Sequence, residues 1–295
     1  MKTRYGPVAP RRGAWRVALV AVAVLAGCAP GHPDTKGSAD MAGYRDVPDS
    51  AWAALAHKRV WFAHQSVGGN IVDGIGALLR ERPGIGLRIV AGDSAADGGP
   101  AFAHELVGRN GEPAGKSDAF AAHLEGGLGP RVDIAIHKYC FADFTTATDV
   151  PAVFGHYRDV MARLHREYPD VVFVHVTTPL VTVKAGRLKL AVQRLLGRTP
   201  SRVANNIARE RFNDLLRKEY AGREPVFDLA TIESTRPDGG REGVAFAGQP
   251  GYALVPGYSS DGSHLNETGR RRLAEALLTF LAGLPQPAAG TPVPR

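Results

Sequence analysis

The stretch VWFAHQSVGGNIVDGIGALLRE, residues 60–81, contains the pattern that decides the fold. It opens with an apolar run typical of a buried β-strand and passes through a turn that contains two glycines. It ends in a segment with apolar residues at helical spacing, on the face formed by Ile71, Ile75, Leu78 and Leu79. A strand that leads directly into an amphipathic helix is the repeating unit of a parallel sheet.

The same alternation continues along the chain. Apolar runs predict four further strands, at 85–92, 132–139, 170–179 and 225–230. Helical periodicity predicts further helices at 153–168, 208–220 and 267–283. We therefore predict an α/β fold, a three-layer α/β/α sandwich with a mostly parallel central sheet of about five strands. In such sheets, ligand sites lie beyond the carboxyl ends of the strands.

Two serines compete for the role of nucleophile. A nucleophilic serine in an α/β enzyme sits where a strand ends and a helix begins, because the turn exposes the hydroxyl and the helix N-terminus favours negative charge. Ser66 has this position, between a predicted strand and a predicted helix. Ser94, in IVAGDSAADGG (89–99), follows a strand but precedes a Gly-Gly-Pro loop. On local context alone, a capping role for Ser66 and a loop role for Ser94 stay open.

A second pattern lies near the C-terminus, where Asp261 and His264 form D-x-x-H just before the last predicted helix. A histidine that acts as a general base needs a carboxylate on its other ring nitrogen, which fixes the tautomer and stabilises the imidazolium. One loop with this spacing supplies both groups. Taken alone, Asp261 as a helix-approach cap and His264 as a surface histidine would be the default interpretation.

The segment DGSHLNETG, residues 261–269, followed by an apolar helix, resembles the last motif block of the SGNH/GDSL hydrolase superfamily. The resemblance implies a flavodoxin-like fold and a Ser-His-Asp mechanism. It places the nucleophile at the end of the first strand, which is Ser66 here, and the base and its orienting carboxylate at His264 and Asp261.

The chain departs from that superfamily at two blocks. The first block reads His64-Gln65-Ser66 where Gly-Asp-Ser is common. The third usually ends in Gly-x-Asn-Asp, but the strand alignment puts Cys140 at the glycine and Ala142 at the asparagine. The asparagine that donates to the oxyanion is therefore absent.

Replacement donors are expected in GRNGEPAGK, residues 108–116, which resembles the second block. Gly111 would give a backbone N–H and Asn110 a side-chain amide, while His64 would line the pocket. The alternatives are a plain Asn-Gly turn and a histidine satisfied at a strand end.

The N-terminal segment predicts export. Residues 1–27 carry five basic residues, no acidic residue and a short apolar run, and the sequence LAGC that ends at Cys28 resembles a bacterial lipobox. We interpret 1–27 as a lipoprotein signal peptide, Cys28 as the acylated residue, and 28–47 as a flexible tether. The domain would span 48–284 and a disordered tail 285–295. These features predict a cell-envelope protein, held on a bacterial membrane by its lipid anchor only, the outer membrane in a Gram-negative cell.

The composition argues against several other classes. The formal net charge is +7, but the five basic residues of the signal peptide leave about +2, which does not favour nucleic acid. The chain has no H-x-x-x-H, no paired-cysteine spacing, no G-x-G-x-x-G and no Walker loop, so we expect no metal and no cofactor.

The sequence therefore predicts a serine ester hydrolase that acts on an acyl-ester substrate, with an O-acetylated glycan as the first expectation and a small-molecule ester as another. Two alternatives stay open. The same triad could transfer the acyl group to a glycan, or the chain could be a non-catalytic envelope lipoprotein on a decayed hydrolase fold.

Overall fold

The computed structural model describes residues 43–92, 99–183, 201–246 and 249–285. The predicted signal peptide, Cys28, most of the tether and Ser94 lie outside these ranges, as does nearly all of the predicted tail. Tyr44 and Val47, which the sequence assigns to the end of the tether, are buried in the core. None of the described helices combines the length and the hydrophobicity that a membrane-spanning helix needs.

Strands and helices alternate over most of the described domain, as the sequence pattern predicts. The helices are α1 (Asp49–Ala56), α2 (Val67–Glu81), α3 (Pro113–His123), α4 (Val150–Glu167), α5 (Ser201–Tyr220), α6 (Leu229–Ser234) and α7 (Glu267–Ala282). Of these, helices α1, α3 and α6 add to those predicted. The strands are β1 (Arg59–His64), β2 (Ile89–Ala91), β3 (Ala101–Leu106), β4 (Ile134–His137), β5 (Val172–Val176), β6 (Val226–Phe227), β7 (Gly243–Phe246) and β8 (Gln249–Tyr252).

The first six strands form one sheet in the order β2-β3-β1-β4-β5-β6, and every pairing within it is parallel. Strand β1 is central, with β3 and β4 on its two sides. Side chains that alternate along the strands fill two separate cores. Helices α1, α2, α6 and α7 cover one core, and helices α3, α4 and α5 cover the other. The predicted three-layer α/β/α fold is confirmed.

The sheet has six strands, where the sequence predicts about five. The additional strand is β3, which we expected to be part of a loop, yet it pairs with β1 from Arg59↔Ala101 to His64↔Leu106. Only its first half is buried and its second half carries His104 and Glu105, so the segment does not read as an apolar run. A second difference is the antiparallel hairpin of β7 and β8, which the sequence analysis did not predict.

Candidate active site

The backbone of Ser66 is held in an unusual conformation between β1 and α2. Its φ of 29° makes it the one non-glycine residue with positive φ among those described. Such a conformation costs on the order of 1–3 kcal/mol and is found where the surrounding fold imposes it, often at active sites. Ser66 precedes the first helical residue, but its side chain makes no capping hydrogen bond. The capping alternative therefore fails, and the hydroxyl serves another partner.

That partner is His264. Ser66 Oγ lies 3.2 Å from His264 Nε2, and His264 Nδ1 lies 2.7 Å from Asp261 Oδ2. The other carboxylate oxygen of Asp261 accepts the backbone N–H groups of Ser263 and His264, each at 2.7 Å. The three residues that the sequence selected are thus brought together, although Ser66 and Asp261 lie 195 positions apart, in the arrangement of a nucleophile, a base and an orienting carboxylate.

The carboxylate of Asp261 is kept ionised by its own loop. The backbone N–H of His264, followed by the side chain of His264 and the backbone N–H of Ser263, holds the pKa of Asp261 well below its usual range. A charged Asp261 favours the tautomer with the proton on His264 Nδ1, which leaves Nε2 free to accept the proton of Ser66.

Two contacts fix the Asp261–His264 loop against the rest of the domain. Asn70, in the first turns of α2, accepts the backbone N–H of Leu265 at 3.0 Å. On the other side, Thr182 and Arg202 donate to the carbonyl of Gly262, at 2.9 and 3.0 Å. The base is therefore tied to the same helix that begins after Ser66.

A buried ion pair lies below the segment where the superfamily pattern has its third block. Lys116 Nζ contacts both oxygens of Asp143, at 2.6 and 2.9 Å, and both side chains are almost completely buried. Asp143 also accepts the backbone N–H groups of Cys140, at 2.6 Å, and Gly111, at 2.8 Å. The pair joins α3, the 110–111 turn and the segment beside the nucleophile, since Cys140 Sγ lies 3.9 Å from Ser66 Oγ.

The two expected oxyanion donors, Gly111 and Asn110, have different hydrogen-bond partners in the structure. The N–H of Gly111 donates to Asp143, so the expectation that it faces an oxyanion is corrected. The side chain of Asn110 behaves differently, because its Oδ1 accepts from Lys116 Nζ at 2.7 Å. With its carbonyl oxygen accepting from an ammonium group, the Asn110 amide keeps its NH2 group as a donor.

His64 does not join the site that the sequence assigned to it. It is buried, and its Nε2 lies 3.1 Å from His104 Nδ1. Burial, followed by the charge of Lys138, lowers the pKa of His64 to about 3, so the ring is neutral at physiological pH. The structure supports the alternative, a buried histidine at a strand end whose Nε2 is paired with His104.

Lys138, which lies directly after β4, is a buried charged residue that the sequence pattern did not predict. Its side chain is fully buried and donates to the carbonyl oxygen of Tyr139 at 2.9 Å. Burial is the largest influence on this ammonium and lowers its pKa to about 8. A lysine at the carboxyl end of a buried strand is the signal that could have marked it, since such positions are seldom charged.

Comparisons with known proteins give matches at the level of structure only. No protein-family model matches the chain, and a search of curated proteins finds no match. Among solved structures, a Streptococcus pneumonia protein described as a platelet activating factor matches at 17% identity and a TM-score of 0.45, over 79% of this chain and 90% of its own. A lipase/acylhydrolase from Enterococcus faecalis matches at 16% identity and a TM-score of 0.40, over 78% and 98%. A peptidoglycan O-acetylesterase matches at 13% identity and a TM-score of 0.40, over 62% and 46%.

Proposed function

We propose that the protein is a serine ester hydrolase. The observation that carries the proposal is the Ser66–His264–Asp261 geometry, with Oγ to Nε2 at 3.2 Å and Nδ1 to Oδ2 at 2.7 Å. The positive φ of Ser66 costs conformational free energy, and its side chain caps no helix. Such a conformation is expected where a serine hydroxyl must be exposed to a substrate.

In this mechanism, Ser66 Oγ attacks the ester carbonyl while His264 Nε2 takes the hydroxyl proton. The tetrahedral intermediate then collapses, the bond to the alcohol oxygen breaks, and His264 returns the proton to the leaving alcohol. A water molecule then attacks the acyl-enzyme in the same way, with His264 as the base, and releases the acid and free Ser66. Asp261 stays ionised throughout and stabilises the imidazolium.

The oxyanion needs donors at the helix N-terminus. Ser66 directly precedes α2, whose first N–H groups have no acceptor within the helix. The backbone N–H of Ser66 at this helix end is one donor. The Asn110 amide, oriented by Lys116, is the second and takes the place of the asparagine that Ala142 replaces. Each such donor contributes about 3–4 kcal/mol of transition-state stabilisation in serine hydrolases.

Exposure supports a bulky alcohol portion and a short acyl group. The side chains of Asp261 and His264 are about half exposed, at 55% and 44%, so the leaving-group side is open among the described residues. Next to the nucleophile, Cys140 is completely buried, and we infer that it limits the space for the acyl group. We therefore propose O-acetyl or other short acyl esters, of a glycan or of a small molecule, as substrates. We further propose that the enzyme acts in the cell envelope, held by acylated Cys28.

The test is hydrolysis of p-nitrophenyl acetate and p-nitrophenyl palmitate by the purified chain and by Ser66→Ala, His264→Ala and Ser94→Ala variants. We expect the acetate to be preferred, Ser66→Ala and His264→Ala to lose at least about a hundredfold in kcat/KM, and Ser94→Ala to retain activity. If Ser94→Ala lost esterase activity and Ser66→Ala kept it, the assignment of Ser66 as the nucleophile would be refuted.

Two further measurements separate the remaining alternatives. A fluorophosphonate probe should label the wild type at Ser66 and leave Ser66→Ala unlabelled, whereas a folded wild type that resists the probe would support a non-catalytic protein. Product analysis with and without an acceptor alcohol distinguishes hydrolysis from transfer, because only a transferase gives the new ester in place of the free acid.

A further inference from the structure

Three side chains with metal-binding atoms meet on the sheet face opposite α2, away from the Ser66–His264–Asp261 triad. They are His165 in α4, His175 in β5, and Glu224 just before β6, and we call them the His165–His175–Glu224 cluster. Glu224 Oε2 lies 2.6 Å from His165 Nε2 and 2.8 Å from His175 Nε2. One carboxylate oxygen therefore serves two imidazole nitrogens.

The cluster is held rigidly by its surroundings. The ring of Tyr220 stacks on His175 with 3.6 Å between ring centroids, and Phe173 packs edge-on against His165 at 4.7 Å. On its far side, His175 Nδ1 lies 2.6 Å from the hydroxyl of Tyr157. A histidine that binds a metal through one nitrogen almost always gives the other to such a partner, which fixes the ring and the tautomer.

Charge and exposure also suit a cation. His175 is completely buried and presents Nε2 to the cluster. His165 and Glu224 are each about one-third exposed, which leaves one side of the cluster open to solvent. Among the described residues, no lysine or arginine forms an ion pair with Glu224.

We propose that the His165–His175–Glu224 cluster binds a divalent transition metal, with Zn²⁺ as the best match to two imidazole nitrogens and one carboxylate oxygen. The three ligand atoms lie within 4.8 Å of one another. Tetrahedral zinc at about 2.0–2.2 Å from each ligand needs ligand atoms roughly 3.3 Å apart. Glu224, about one-third exposed, must therefore move by about half an ångström to admit the ion, and the open side provides a fourth position for water.

The cluster could not be predicted from the sequence because its three side chains come from separate parts of the fold. The spacings of 10 residues between His165 and His175, and of 49 between His175 and Glu224, match no local metal motif. They meet because β5 lies between β4 and β6, with α4 packed on its face.

The experiment titrates the EDTA-treated full chain with Co²⁺, followed by its visible absorption, and with Zn²⁺ in competition with a chromophoric chelator. Variants His165→Ala and Glu224→Gln alter the partly exposed ligands, so the core stays filled. His156→Ala is the matched control, because His156 lies on the same helix and pairs with Asp118 at the surface, at 2.7 Å. Circular dichroism verifies that each variant is folded.

We expect one site with tetrahedral-type Co²⁺ absorption, a loss of at least about a hundredfold in affinity in both ligand variants, and no change in His156→Ala. At a hundredfold excess of Zn²⁺ over Kd, the wild-type Tm should rise by about 5–10 °C. Absence of binding, or binding that His165→Ala and Glu224→Gln leave unchanged, would overturn the proposal. Esterase activity should survive metal removal, so the two proposals stand or fall separately.

Discussion

The packing of α2 against α7 should set the alignment of nucleophile and base, and Gly74 is the position that tests it. Helix α2 begins directly after Ser66, and α7 begins three residues after His264. The two helices touch at Gly74, where a Cβ would lie 2.5 Å from the backbone oxygen of Arg270 and 2.9 Å from the Cβ of Ala274. Neither neighbour can rotate away.

The cost of Gly74→Ala follows from these distances. Comfortable contacts between such atoms are about 3.5 Å, so the helices must separate by about 1 Å. Overpacking of this kind costs about 1–3 kcal/mol, against a gain of about 0.5–1 kcal/mol from the better helix propensity of alanine. The same shift moves His264 from Ser66, where Oγ and Nε2 are now 3.2 Å apart. A 1 Å misplacement of reacting groups can lower the rate about a hundredfold.

The same helix provides the control. At Gly76, the nearest atom to a new Cβ is the flexible guanidinium of Arg80 at 3.5 Å. Gly76→Ala should therefore leave kcat unchanged and raise the free energy of unfolding by up to about 1 kcal/mol. Urea unfolding and p-nitrophenyl acetate kinetics on both variants measure the two effects.

Equal stability and equal kcat in Gly74→Ala and Gly76→Ala would refute this reasoning. A loss of stability in Gly74→Ala without any loss of kcat would refute only its second half, namely that helix packing aligns the catalytic pair.

Three further predictions concern residues behind the site. Asp143→Asn should lower the free energy of unfolding by about 3–5 kcal/mol, because it leaves the buried ammonium of Lys116 without its counter-charge, and urea unfolding measures it. Lys138→Met should raise that free energy at pH 7 by about 3 kcal/mol, since burial lowers the lysine pKa from 10.5 to about 8. Between pH 8 and pH 10.5, Lys138 is deprotonated in the folded protein but protonated in the unfolded chain. The stability of the wild type should therefore rise toward that of Lys138→Met as the pH increases over this range. A difference in stability that does not depend on pH would contradict this. Asn70→Ala should lower kcat for p-nitrophenyl acetate about tenfold and stability by about 1 kcal/mol, because the N–H of Leu265 loses its acceptor.

The residues of the proposed triad could be selected from the sequence because each sits in a local pattern. Ser66 lies between an apolar run and a helical periodicity, and Asp261 and His264 lie three residues apart before a helix. Such short-range signals survive without knowledge of the tertiary fold.

Strand β3 and the buried ion pair could not be predicted in the same way. Strand β3 is six residues long and half polar, so its identity depends on the neighbour β1 that it meets. Lys116 and Asp143 lie 27 residues apart and pair only because α3 and the segment after β4 converge. In sequence, each looks like an ordinary surface charge.

The sheet order also explains why Ser66 suits a nucleophile better than the literal Gly-Asp-Ser motif. Strand β1 is bonded on both sides, by β3 and β4, so the turn at its end is fixed by two neighbours. Strand β2, which leads toward Ser94, is three residues long and lies at the edge of the sheet, bonded to β3 alone. A strained φ of 29° persists only where the surroundings over-determine the backbone. A central strand followed by a packed helix provides that constraint, and a short edge strand does not.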